Sequence, residues 1–237
     1  MCPLSDREIE EALLQSELFG GLTASQRKRL LQEAQKIPFK KGEEIDNDEG
    51  LELFNIVVKG AVKLVQQDPD SGRSLVLFLL KRGEGFDWLS LLDGDPHYSR
   101  PVAVEPSCLL RLPMATMRAW VEEWSELNER VLPYLGRQMR HLERFAESVV
   151  FDDTATRLAR LILHHTAPAQ SRDAHGDLLP VRIASPLSQE LLAEMIGSVR
   201  TVVTTQLKKM KEEGLIVHER GRLAVKRLEE LVRRYNL

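Results

Sequence analysis

The sequence predicts an α+β chain in three parts, and three observations carry that prediction. Short β-rich runs separated by turn residues fill the stretch from residue 39 to about residue 112. A seven-residue apolar repeat runs through Val131 to Phe151. Two short helical patterns joined by a glycine, followed by two short strands, close the chain. The expected parts are an antiparallel sheet module over 1–130, a long helix and hinge over 131–151, and a helix-turn-helix with a wing over 152–237.

Composition supports folding and removes several classes. Of 237 residues, 43% are hydrophobic and 29% charged, which is enough apolar material for a core and excludes a disordered chain. The longest apolar run is Leu75 to Leu80, whereas a bilayer-spanning helix needs about twenty such residues. The first residues, MCPLSDREIEEALLQ, carry acids where a secretory signal carries a basic cluster and an apolar stretch. Cys2 and Cys108 are too few for a disulfide scaffold or a four-thiolate metal site. A soluble cytoplasmic protein with no membrane partner is the expectation.

The elements follow in order. Residues 5–36 read as helix, with Ile9, Leu13, Leu14 and Leu18 at helical spacing and Leu22, Leu30 and Leu31 continuing after the Gly20-Gly21 break. From Phe39 strands are expected at 53–58, 61–65, 75–80, 101–104 and 108–112, with turns at Lys41-Gly42, Asp48-Glu49-Gly50, Lys59-Gly60, 68–72, 82–85 and 93–95. Such punctuation about every ten residues argues for an antiparallel sandwich or barrel. Cys108 falls inside an apolar strand and reads as an inert core thiol.

In the long helix Leu135, Leu142 and Val149 repeat every seven residues, and Leu132, Met139 and Ala146 repeat in the offset position. Together they form the a/d stripe by which two helices pair; the bland alternative is a helix packed on its own domain. Arg137, Arg140, His141, Glu143 and Arg144 read as solvated flanks. Asp153 or Thr154 is positioned to cap a following helix from Ala155 to His165, and 168–180 reads as a surface loop.

Charge separates the halves. Residues 185–237 hold 10 Lys and Arg against 7 Asp and Glu, while the remainder holds 23 against 29. Only the tail suits an anionic partner. There Ser188 can cap a helix over Gln189 to Ile196, Gly197 supplies a left-handed turn, and Ser198 can cap a second helix reaching about Glu213. Val202, Val203, Leu207 and Met210 make its buried stripe. Arg200, Thr201, Thr204, Thr205, Lys208, Lys209 and Lys211 make the opposite face. An apolar stripe opposite Arg, Thr and Lys is what a major-groove helix needs, and Gly214 to Val225 reads as a two-stranded wing whose tip carries Arg220 and Arg222. An ordinary helical hairpin with a basic face is the competing reading, and the wing decides for DNA. The candidate DNA-binding set is Ser188, Gln189, Ser198, Arg200, Thr201, Thr204, Thr205, Lys208, Lys209, Arg220 and Arg222.

Here the order of parts becomes recognisable. The spacing of Phe39 to Ile45, Gly50, Phe54 to Val62 and Gly83 to Phe86 resembles the cyclic-AMP receptor protein/FNR family of bacterial transcription regulators. So do Phe151-Asp152, Ser188-Gln189-Glu190 and Ile196 to Arg200, and the resemblance covers nearly the whole chain. It implies an N-terminal cyclic-nucleotide-binding-like β-roll, a long dimerisation helix (Leu132, Leu135, Met139, Leu142, Ala146 and Val149 at the interface) and a C-terminal winged helix-turn-helix. A double-stranded DNA operator, a homodimer and RNA polymerase are the implied partners, the polymerase through the loop 166–177.

The family's effector segment maps onto Phe86, Asp87, Trp88, Leu89, Ser99, Arg100, Leu142 and Glu143, and it departs from the cyclic-AMP pattern. Trp88 stands where the ribose-binding Glu belongs. Arg100 is out of order and precedes Pro101, which donates no N–H, and Leu142-Glu143 replaces the polar pair that meets the base. These departures argue against cyclic AMP. An iron–sulfur cluster needs four cysteines, and the Cys/His pair of the carbon-monoxide-sensing haem member is missing near Asp87 and Leu89. A haem site of another kind stays open through His97, His141 or Cys2-Pro3, with haem-dependent nitric oxide sensing as the leading specific reading; His97 otherwise reads as a solvated turn residue. On the recognition helix Thr201 replaces the family's Glu and Thr205 its second Arg, so the half-site should differ from the common one. An effector-independent regulator set by abundance is the alternative. No nucleophile–base set, phosphate-cradling loop or metal-ligand spacing supports an enzyme.

Overall fold

The computed structural model describes residues 4–46, 50–165, 181–182, 187–219 and 222–237. The chain divides into two compact units, Met1–Gly72 with Leu77–Leu142, and Arg73–Val76 with Glu143–Leu237.

The first unit begins with α1 (Asp6–Leu14), opened by a capping box in which Ser5 and Glu8 satisfy each other's backbone N–H groups. A 3-10 turn at Phe19–Gly21 leads to α2 (Ala24–Glu33), where Thr23 and Gln26 repeat that device. The helical reading of 5–36 therefore holds up to Glu33 and fails beyond it. Gln35–Phe39 is strand β1, drawn out of helix by full pairing with β7 (Ser107–Pro113). Pro38 marks it as an edge strand, which β1 is.

Strands β2 (Leu53–Lys59), β3 (Ala61–Gln67), β4 (Ser74–Lys81), β5 (Gly85–Phe86) and β6 (Arg100–Ala103) complete two facing sheets, ordered β1-β7-β2-β5 and β4-β3-β6. Both faces of β2 and β7 are buried, and alternate residues serve different cores. Phe54, Ile56, Val58, Cys108, Leu110 and Leu112 pack outward against helices, together with Ile9, Leu13, Trp120 and Leu127. Val57 and Leu109 point the other way, into a second cluster with Phe39, Ile45, Val62, Leu64, Leu80, Phe86 and Ala103. Cys108, expected as an inert thiol, is disulfide-bonded, and no cysteine among the described residues is free.

The roll is interrupted by α3 (Trp88–Asp93), a helix the sequence reading did not anticipate. It starts at Asp87, whose φ of 74° is left-handed, and ends at Gly94 with φ 81°. Two such residues with only six between them cut the helix short, which hides its period. α4 (Met114–Glu123) follows, and Trp124 in extended conformation separates it from α5 (Ser125–Phe151). The long helix thus begins six residues before the expected Val131 and carries Pro133 inside it.

The second unit contains α6 (Thr154–His164), whose cap is Asp153: its carboxylate accepts from Thr156 N at 2.7 Å, and that bond holds its pKa below the usual carboxylate value. Then come α7 (Gln189–Met195), α8 (Arg200–Glu212), strands β9 (Ile216–Glu219) and β10 (Arg222–Val225), and α9 (Leu228–Tyr235). The wing is three-stranded rather than two-stranded, because β8 (Val181–Arg182) pairs with β10. Two residues of pairing are too short to read from sequence. Among the described residues no helix is long and apolar enough to cross a membrane.

Candidate nucleic-acid interface and effector region

The helix pair α7–α8 is set by a few local choices. Ser188 caps α7 by accepting from Leu191 N at 3.1 Å. Gly197 takes φ 62° in the turn, and Ser198 N donates to Ala193 O at 2.9 Å. Ser198 does not cap α8, as the sequence had suggested. Its N–H is used to close α7, and Val199 occupies the cap position of α8 with no side-chain cap bond.

Val203, Leu207 and Met210 form the buried row of α8, while Val202 is half-buried at its edge. Arg200, Thr201, Thr204, Thr205, Lys208 and Lys209 are all exposed on the other side, so the structure brings the predicted α8 residues onto one face. Gln189 of α7 joins them, its amide oxygen 2.7 Å from Thr204 Oγ1. Lys208 has Glu212 at 3.8 Å, a long and solvated pair that leaves the ammonium available to an external anion. Arg220 and the Arg222 side chain lie outside the described residues, as do Cys2 and the loop 166–177 proposed to meet polymerase.

The predicted effector residues are scattered by comparison. Phe86 belongs to the cluster between the sheets and is 1% exposed. Trp88 belongs to the outer core: its indole N–H donates to Gly85 O at 2.9 Å, and its ring meets Phe54 edge-on at 4.7 Å and Tyr134 at 5.9 Å. Leu89 points to solvent. Ser99 is buried, 3.5 Å from His97 Nδ1. Arg100 is exposed and gripped by Glu44, at 3.1 Å through Nε and 2.6 Å through an η nitrogen, with Gln67 on its other arm. Leu142 and Glu143 are exposed on α5.

Asp87 anchors a polar cluster that the sequence reading missed. It is 1% exposed and accepts from Asn55 Nδ2 at 3.0 Å. Asn55 Oδ1 in turn accepts from Arg111 Nε at 3.1 Å, and Arg111 also donates to Asp46 O. Burial pushes the Arg111 guanidinium pKa down, opposed by Asp46 and Asp87. The signal was present: Asn55 and Arg111 are polar residues inside apolar strand runs, and they stand directly opposite each other in the β2–β7 register. At the far end of α3, Arg118 donates to Ser90 O at 3.0 Å and Leu91 O at 2.9 Å. Asp87 and Arg118 therefore fix both ends of α3.

His97 is half-buried, and burial pushes its pKa down against the opposing charge of Asp93. His141 lies against Phe78, ring centroids 5.7 Å apart, and so is more than a solvated flank. Among the described residues no group of three His, Cys, Asp or Glu is arranged to hold a metal ion.

A sheet roll with a capped helix-turn-helix and a basic, threonine-rich face defines a class, the DNA-binding regulators with a sensory roll. The comparisons with known proteins agree. Residues 36–123 match the cyclic nucleotide-binding domain, and residues 156–234 match the Crp-like helix-turn-helix domain. A global nitrogen regulator of Synechococcus elongatus is 32% identical over 178 residues, covering 73% of this chain and 77% of that protein. A CRP-like cAMP-activated global transcriptional regulator of Mycobacterium tuberculosis is 24% identical over 228 residues, 95% of this chain and 99% of that protein. A CRP-family transcriptional regulator of Thermus thermophilus superposes with a TM-score of 0.66 at 25% identity, covering 85% of this chain and 97% of its own. The chain belongs to the cyclic-AMP receptor protein/FNR family and is a DNA-binding transcription regulator.

Proposed function

We propose that this regulator acts as a homodimer on a two-fold symmetric operator with half-sites about one helical turn apart. A small effector other than cyclic AMP, held by the roll or where the roll meets α5, shifts the population with correctly spaced recognition helices. The observation that carries the dimer is the stripe on α5. Leu132 is 72% exposed, Met139 65% and Val149 46%, an apolar row on a helix that a single chain leaves in water. Sedimentation of the full-length protein with and without operator DNA checks it. A dimer is expected in both cases, and a lone subunit at working concentration in both would end the proposal.

Arg100 supports an effector other than cyclic AMP. Its guanidinium is exposed and already holds Glu44, and the head of α3 carries the buried Asp87 carboxyl group instead of a cation for a phosphate. Saturating cyclic AMP is expected to leave operator affinity unchanged. Haem-dependent nitric oxide sensing is the specific form to test first, because burial keeps the His97 ring neutral near neutral pH, the form that ligates iron. Protein purified from haem-replete cells would then show a Soret band. Without one the effector class passes to small organic ligands, and an operator affinity indifferent to any of them points to control by abundance. Contact with RNA polymerase and a cytoplasmic location complete the proposal.

A further inference from the structure

The outward face of α8 contains two threonines whose hydroxyl groups are turned back onto their own helix. Thr204 Oγ1 lies 2.9 Å from Arg200 O, and Thr205 Oγ1 lies 3.0 Å from Thr201 O. Such back-bonding uses the hydroxyl's only proton and fixes χ1, so the methyl group takes another staggered position on an exposed residue. Thr205 lies nearly opposite the buried row Val203, Leu207 and Met210, at the crest of the face. Thr204, one residue before, is tied to α7 by Gln189 at 2.7 Å. Thr204 Oγ1 thus faces two acceptors, Gln189 Oε1 and Arg200 O, and its one proton is shared between them.

We infer that Thr205 is a specificity-determining residue that reads thymine through methyl-to-methyl contact in the major groove, with Thr204 and Gln189 positioning the crest of α8. The inference rests on α8 being the helix that enters the groove. Thymine is the base that presents an apolar group there, its C5 methyl. A donor contact from Thr205 to a base would first have to break its bond to Thr201 O. Arg200 remains the donor for a guanine edge, so the face offers one strong fork of N–H groups and one apolar crest.

The test uses the full-length protein and an operator recovered by selection from random duplexes. Each thymine of both half-sites is then replaced in turn by deoxyuridine, which removes only the methyl group. One thymine per half-site is expected to respond, with affinity falling about four-fold for each methyl lost from the contact. Thr205→Ser keeps the hydroxyl bond and removes the methyl, so this variant should bind the thymine operator about as weakly and no longer distinguish thymine from uracil. Thr205→Val should keep the distinction. If no thymine responds, or the response survives in Thr205→Ser, the inference falls while the regulator reading stands. If selection recovers no preferred sequence, sequence-specific reading by α8 fails as well.

Discussion

On the outward face of α8, Arg200, Thr201, Lys208 and Lys209 stand in water, and Lys208 is paired only at long range with Glu212 among the described residues. Around α3, Asp87, Asn55 and Arg111 hold one another away from water, and Arg118 closes the far end. Both regions use polar side chains near a helix start, yet the first leaves its groups for a partner and the second completes them internally. On the proposed reading an arginine serves binding in one place and folding in the other. Position alone decides which.

Substitutions separate the two regions, and the largest effect is expected at α3. Asp87→Ala removes the carboxylate that Asn55 donates to and one of the two that face the half-buried Arg111, and it removes a residue type that tolerates φ 74°, so stability should fall by about 2–4 kcal/mol in denaturant unfolding. If the Asp87→Ala midpoint is unchanged, the cluster is ornamental and the contrast collapses. Arg200→Ala is the mirror case. Unfolding should be unaltered, while specific operator binding drops by about 1–3 kcal/mol, read by titration against specific and scrambled duplexes. An identical footprint would remove Arg200 from the base-reading set.

Lys208→Ala is expected to do less and to do it without regard to sequence. All duplexes should bind somewhat more weakly, and the slope of log affinity against log salt should fall by about one. A loss confined to the specific operator would assign Lys208 to a base instead. The smallest effect is expected at His97. Its folded-state pKa lies below that of the unfolded chain, so the unfolded state takes up a proton first as pH falls. Stability is therefore lost as pH drops below about 6.5 and levels off below the folded pKa. His97→Gln should flatten this part of the wild-type stability curve between pH 8 and pH 5.

The α8 face was legible because one helix obeys one period: given Val203, Leu207 and Met210 inside, the exposed positions follow. The strands from 53 to 112 were legible by their turns, although the alternation within β2 and β7 was masked by burial on both faces. The effector segment was not legible. Its residues pass from strand to left-handed turn to six-residue helix within Phe86 to Asp93, so no single period says which side chain points inward. Trp88 went to the outer core for that reason. β1 was misread because its strand character comes from β7, seventy residues away in sequence, rather than from its own residues. The role of Asn55 and Arg111 was available only once the register of β2 against β7 was known.

Val199 heads α8 with no side-chain oxygen to cap the first turn, so at that end of the helix no side chain of the cap covers the backbone amides beside Arg200. Peptide dipoles make it the electropositive pole, and no alanine scan can delete it. Summing the losses from individual side-chain replacements on this face will consequently fall short of the total affinity for a polyanion. The shortfall measures what the main chain itself contributes.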